Sequence, residues 1–250
     1  MEKKTVIITG GNRGIGLNIT EAFIESGFSV LVGSRKPPDQ LQKFSKRLLF
    51  VPTDVRYESD HIELVKKAID ETGRLDVFIN NAGYSEWRPI KEIDDKFLQD
   101  IIETNLKSAF WGCKSAVAAM KNGGSIINIS SIAGKRGSAN NSAYVATKFA
   151  MNGVTQSLAK EFGPKSIRVN GICPVLIETD GLIKALEGPY SPANGSGVRE
   201  FISKFTMDNA ALKRLPTGKE VAAMCLFLAS DDSSAITGQN INVDCGVFPQ

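Results

Sequence analysis

Thr5-Val6-Ile7-Ile8-Thr9-Gly10-Gly11-Asn12-Arg13-Gly14-Ile15-Gly16 is the stretch that decides the fold. Its first five residues are β-branched without exception, the composition of a strand buried on both faces. Glycines follow at Gly-x3-Gly-x-Gly spacing, and from Ile15 to Ser26 the apolar residues recur at helical period. A strand that turns through glycine straight into a helix lets backbone approach a ligand closely. The helix start then offers free N–H groups and the positive end of its dipole to a phosphate. The spacing departs from GxGxxG, and a tight turn without a ligand is the competing reading; placement after the first strand favours the ligand.

Outward from this turn, short apolar runs alternate with longer helix-period segments. Strands are expected at Thr5–Thr9, Ser29–Gly33, Leu48–Val51, Asp76–Asn80, Ser125–Ser130, Arg168–Cys173 and Gln239–Val243. Helices are expected at Ile15–Ser26, Ser59–Glu71, Asp94–Met120, Ala143–Phe162 and Lys219–Leu228, the third long enough to bend or break. That alternation predicts an α/β fold: a Rossmann-type doubly wound sheet of about seven parallel strands with helices on both faces. Residues 1–250 are read as a single domain, with a less regular stretch around residues 181–216. Within it, Glu187–Gly197 carries two prolines and three glycines and reads as an exposed flexible loop.

Thirty basic against 27 acidic side chains, with no long run of either sign, point away from nucleic acid and from a membrane surface. Cys113, Cys173, Cys225 and Cys245 lie far apart, which argues against a metal site or a disulfide framework and suggests a reducing, cytoplasmic setting. The first apolar run is too short for a signal peptide. The single histidine, His61, falls among polar residues at a helix start and is expected on the surface, which disfavours a Ser-His-Asp hydrolase.

The second strand ends Val32-Gly33-Ser34-Arg35-Lys36, without the carboxylate that bonds a ribose 2′-hydroxyl in NAD binders. Arg35 and Arg13 supply positive charge suited to a 2′-phosphate, so NADP(H) is the expected cofactor. Tyr144 and Lys148 stand four apart at helical period and share a face. An ammonium beside a phenol favours phenolate, lowering the Tyr pKa toward working pH and making it a usable acid and base.

Thr9-Gly10 to Gly16, Asp54-Val55, Asn80-Asn81-Ala82-Gly83, Asn105, Ser130-Ser131, Tyr144-x3-Lys148 and Ile177-Glu178-Thr179-Asp180 occur in one order along the chain. In these motifs the sequence resembles the short-chain dehydrogenase/reductase family over its whole length, most of all the 3-oxoacyl-carrier-protein reductase branch. The resemblance implies a catalytic tetrad of Asn105, Ser131, Tyr144 and Lys148, with Ser131 thirteen residues before Tyr144 as the family pattern requires. Tyr144 would donate the proton, Ser131 would bond the developing alkoxide, and Lys148 would tune Tyr144 and hold the nicotinamide ribose. Asn105 would hold a water linking Lys148 to solvent. It further implies cofactor contacts from Gly10, Asn12, Arg13, Gly14, Ile15, Gly16, Ser34 and Arg35. Asp54 and Val55 would stand at the adenine, Asn81, Ala82 and Gly83 at its ribose, and Pro174, Ile177 and Thr179 at the carboxamide, with no metal. Thr179 could instead cap a helix from Asp180, and Asn81 and Gly83 could serve the fourth strand's turn.

Val175 stands where the family usually has glycine, so either its backbone is ordinary or the loop by the nicotinamide differs; Cys245 replaces another such glycine and reads as a packing residue. Between Thr179 and Lys219 the chain is longer than in typical carrier-protein reductases; the resemblance implies that this stretch, around residues 181–216, is a lid loop over the substrate site, and Tyr84, Trp87 and Arg88 are candidates to line the pocket. The expected reaction is hydride transfer between NADP(H) and a carbonyl or alcohol carbon, with a 3-oxoacyl thioester as one substrate and a cyclic, sugar-like or steroid-like alcohol as the alternative. A non-catalytic dinucleotide-binding regulator is the reading from another class. The family implies a homotetramer or homodimer.

Overall fold

A computed structural model describes residues 3–38 and 47–249. The strands are β1 (Thr5–Thr9), β2 (Ser29–Ser34), β3 (Leu48–Pro52), β4 (Val77–Asn80), β5 (Gly124–Ile129), β6 (Ile167–Pro174) and β7 (Asn240–Val243), in the spatial order β3-β2-β1-β4-β5-β6-β7. Every pairing is parallel. All seven expected strands are present, because each is an apolar run that only a doubly covered sheet can bury.

Helix α1 (Gly14–Glu25) packs on α8 (Gly218–Ala229) over one face, where Val6, Ile8, Phe23, Val30, Ile79 and Val221 form a dry core. Ile7, Leu31, Leu64, Phe78 and Ile126 form the core of the other face with helices α2 (Glu58–Thr72), α4 (Ser108–Ala119) and α5 (Ser142–Phe162). Alternate residues of β1 thus feed opposite cores, as the two-residue pleat requires. The strand order reverses direction at β1 and β4, and the carboxyl ends there are where a doubly wound sheet binds its ligands.

Two expectations need correction and one gains detail. The segment Asp94–Met120, long enough to bend or break, is interrupted: α3 (Asp95–Ile102) passes through a π-turn at Glu103–Lys107 into α4. His61 is not a surface residue: it has no solvent exposure, its Nε2 lies 3.0 Å from the Val55 carbonyl oxygen, and its ring stacks on Phe78. Glu187–Gly197 is not simply an exposed loop. Although Glu187, Pro189 and Tyr190 face solvent, Ser191 and Ala193 are buried, the Ser191 hydroxyl donates to the Leu186 carbonyl, and Ala193 joins an apolar cluster under α6 (Asp180–Leu186) and α7 (Val198–Asn209).

Candidate active site

The glycine turn is shaped by close approach. Gly10 and Gly14 have φ of 64° and 54°, the left-handed region, and a Cβ on Gly16 would stand 2.1 Å from the Gly10 carbonyl oxygen. Arg13 takes the N-cap place of α1 in extended conformation without a side-chain cap, and its own side chain is exposed. Asn12 and Ile15 are half-buried beside it. Asn81 ties this turn to β4: its side-chain amide donates to the Thr9 and Gly10 carbonyls at 2.9 and 3.1 Å. The backbone N–H groups of Asn81 and Ala82 both donate to the Thr9 hydroxyl. The Asn81 amide is therefore committed to bracing the turn.

At the end of β2 the buried Ser34 hydroxyl donates to the Lys36 carbonyl at 2.7 Å, turning the chain so that Arg35 faces solvent. Asp54 accepts a two-point bond from Arg56, with Nη2 at 2.6 Å from Oδ2 and Nε at 3.0 Å from Oδ1. That bond, helped by the nearby positive charge of Arg35, holds the Asp54 carboxyl below the usual carboxylate range. Val55 beside it is buried.

The catalytic candidates converge at the carboxyl ends of β5 and β6. Ser131 follows β5; its hydroxyl caps a short 3-10 turn, accepting from the Ala133 N–H at 3.1 Å, and donates to the Pro174 carbonyl at 3.5 Å. Tyr144 and Lys148 stand one turn apart on α5, and the Lys148 Nζ lies 5.7 Å from the Tyr144 ring centre. Lys148 is almost wholly buried and donates to the Ile129 carbonyl at 2.8 Å. Burial pushes the Tyr144 phenol up to about 12, against a lowering by a hydrogen bond from Ser131, and pushes Lys148 down to about 8. The lowering of Tyr144 expected from Lys148 is absent in this geometry, where loss of water is the largest influence on both groups.

Asn105 lies in the π-turn, fully buried, and its side chain clasps the Tyr84 backbone: Nδ2 donates to the carbonyl at 2.8 Å and Oδ1 accepts from the N–H at 3.0 Å. Gly83 sits against it, where a Cβ would meet Asn105 Oδ1 at 3.1 Å. The π-turn adds one residue to the helical turn and aims Asn105 at the loop after β4. Thr147 links the two helices, donating to the Tyr144 carbonyl at 2.7 Å and accepting from Asn105 at 3.5 Å. The sequence reading missed Thr147; its place one turn after Tyr144 on the inner face of α5 was the available signal.

Pro174 ends β6, and Val175 is buried with an ordinary backbone, so the first of the two alternatives for it holds. Cys245 does adopt the left-handed region, φ 53°, in place of a glycine, and packs against Ile132, Val175 and Ala210. Ile177 belongs to the core beside α1. The Thr179 hydroxyl caps α6, accepting from Leu182 N–H at 3.2 Å, while its methyl group faces Gly14 across the cleft, 3.4 Å from where a Cβ would stand. Tyr84 packs with Tyr144 and Phe97, and Trp87 packs under α6 and α7. Arg88 is taken by Glu86, Asp94 and the Phe97 ring, the last at 3.9 Å. A cavity of about 740 Å³ opens between α6 and α7, lined by Ile183, Glu187, Val198 and Arg199 among others. Among the described residues no three His, Cys, Asp or Glu side chains gather to hold a metal ion, and no helix is long and apolar enough to cross a membrane.

Residues 10–248 match the family model described as enoyl-(acyl carrier protein) reductase. The 3-oxoacyl-[acyl-carrier-protein] reductase FabG of Chlamydia muridarum is 34% identical over 98% of this chain and 97% of its own length. The L-2,3-butanediol dehydrogenase of Corynebacterium glutamicum is 31% identical over 98% of each. Among solved structures, the ligand-free aldohexose dehydrogenase of Thermoplasma acidophilum superposes with a TM-score of 0.89 at 30% identity, covering 100% of this chain and 98% of its own. A variant of the actinorhodin polyketide ketoreductase with NADPH does so at 0.92 and 28%, covering 99% of each.

Proposed function

Because the chain belongs to the short-chain dehydrogenase/reductase family, we propose that it is an NADP(H)-dependent oxidoreductase acting on a small-molecule ketone or alcohol, with 3-oxo thioesters the leading substrates. The observation that carries the reading is the convergence of Ser131, Tyr144 and Lys148 at one end of the sheet, with Gly14 and Thr179 facing each other beside them. The glycine turn suits a pyrophosphate, since the absence of a side chain at Gly16 lets the start of α1 close against the Gly10 carbonyl and present its N–H groups at the turn. When bound, the nicotinamide supplies or accepts the hydride.

The chain's own residues do the rest. Gly10, Asn12, Gly14, Ile15 and Gly16 hold the phosphates by backbone, and Arg13, Ser34 and Arg35 take the 2′-phosphate. Asp54 and Val55 wall the adenine, Asn81, Ala82 and Gly83 its ribose, while Pro174, Ile177 and Thr179 position the carboxamide. With its phenol held protonated at neutral pH, Tyr144 is set to give a proton to a carbonyl oxygen. Ser131 bonds that oxygen as charge builds on it. Lys148, charged below about pH 8, orients the cofactor ribose and stabilises the phenolate left behind. Asn105 holds the Tyr84 loop and the π-turn through which a water reaches Lys148.

The alternative substrate, a cyclic or steroid-like alcohol, draws on the apolar lid cluster of Trp87, Leu182, Phe201 and Ile202. We read the chain as one domain, cytoplasmic, and a homotetramer or homodimer; exposed Phe110 on α4 and Phe149 on α5 support the last. Calorimetric titration with NADPH and NADH tests the reading. NADPH should bind at least about tenfold more tightly, the worth of one charge-assisted bond to the 2′-phosphate. Binding of neither would overturn it.

A further inference from the structure

His61 is the only histidine of the chain, and the chemistry above gives it no part. It stands in the first turn of α2 with no exposed surface, its ring against Phe78 of β4. Nε2 meets the Val55 carbonyl oxygen at 3.0 Å, while Nδ1 is buried with no hydrogen-bond partner. A neutral imidazole with its proton on Nε2 satisfies this arrangement, since it donates to Val55 and leaves only a lone pair at Nδ1. A second proton would put an unpaired donor and a full charge where water does not reach.

We propose that His61 is a positioning residue for the adenine end of the cofactor, fixing the Asp54–Val55 wall through its bond to the Val55 carbonyl. This rests on the dinucleotide reading of the cleft. The same loop is pinned by the Asp54 N–H donating to Asp60 at 2.8 Å, so His61 supplies the second of two ties between the loop and α2, while the Asp54–Arg56 pair braces the loop within itself.

The charges around the ring decide how it responds to pH. On its own helix stand Glu58 and Asp60, both favouring protonation. Lys114 of α4 pairs with Glu58 at 2.7 Å, and Arg56 occupies Asp54 in the loop. Strand β4 offers only Phe78, and β1 and β2 present Ile7 and Leu31 to this side of the sheet. Desolvation outweighs the Val55 carbonyl and the two acids, all of which favour protonation, and holds His61 below its ordinary 6.5. As pH falls past that value the open loop takes up a proton that the closed loop refuses, so acid favours opening and weakens the adenine wall.

A lone histidine gives one set of imidazole C–H signals, so proton NMR can follow its titration in the intact protein. The midpoint should lie below 6.5 and fall further when adenosine 2′,5′-bisphosphate binds, since a ligand that prefers neutral His61 must lower its proton affinity. Nicotinamide mononucleotide should leave it unmoved. A midpoint that the bisphosphate does not shift overturns the proposal. In calorimetry, wild-type affinity for the bisphosphate should drop about fivefold more than that of His61→Gln between neutral and mildly acidic pH. The variant keeps an N–H donor but cannot titrate, and the phosphate's own titration is common to both. Equal losses sink this inference alone; no binding of the bisphosphate at any pH sinks the dinucleotide reading with it.

Discussion

The catalytic corner and the lid flank one cleft but are built on opposite terms. Ser131, Tyr144 and Lys148 stand on the ends of β5 and α5, and each is held by a backbone carbonyl, an N–H or a neighbouring turn of a buried element. The lid, from α6 to α7, has one small apolar cluster and hangs on side-chain bonds to its own turns, such as Ser191 to Leu186 and Asn194 to the Pro189 carbonyl. Rigid elements keep reacting groups within the tolerance chemistry needs, whereas a segment with few buried contacts opens at lower free energy and can be rebuilt for another substrate. The corner therefore carries the reaction type, and the lid the choice of substrate.

The largest effect that sharpens this contrast is at Tyr144. Removing the phenol oxygen in Tyr144→Phe should lower kcat by about 10³-fold, within the range for a lost general acid, with NADPH affinity unchanged by calorimetry. Next is pH. Lys148 is protonated below about 8, so kcat/KM for carbonyl reduction should be level at neutral pH and fall about tenfold per unit above that value. A profile flat through pH 9 would break the assignment of Lys148.

Stability should move the other way. Holding Lys148 charged at neutral pH costs about 3 kcal/mol, from the drop between 10.5 and about 8. Lys148→Met removes that cost but leaves the Ile129 carbonyl unpaired, worth about 2 kcal/mol. The inactive variant should thus melt roughly 2–4 °C higher by calorimetry. The smallest effect is in the lid: Ser191→Ala should cost about 1 kcal/mol locally and shift KM several-fold while kcat stays near wild type. A kcat loss matching that of Tyr144→Phe would erase the distinction between the two regions.

The sequence made the corner legible because it follows from spacing. Tyr144 and Lys148 share a helix face at four residues apart, and the glycine turn is dictated by backbone that admits no side chain at Gly16. The strands were legible for a similar reason, since β1 alone shows five buried residues in a row. What was not legible depends on partners distant in space or on one extra residue in a turn. Asp94–Met120 keeps a helical composition throughout, so nothing in its period announces the π-turn at Asn105. His61 sits among Glu58, Ser59, Asp60 and Glu63, and its burial comes from Phe78 and the Val55 carbonyl. The glycines and prolines of Glu187–Gly197 announced turns but not that Ala193 is packed from two helices. The pull of Lys148 on Tyr144 was argued from charge alone, whereas burial is the largest influence on the phenol.

The claim that this corner moves a hydride is tested most directly by isotope transfer. NADPH carrying deuterium at both positions of the hydride-bearing nicotinamide carbon is incubated with the protein and a panel of 3-oxo thioesters and cyclic ketones, and the products are weighed by mass spectrometry. The account predicts an alcohol carrying one deuterium on the former carbonyl carbon, made by the wild type and not by Tyr144→Phe. Alcohol without the label, or no alcohol from any member of the panel while NADPH binds, would contradict it.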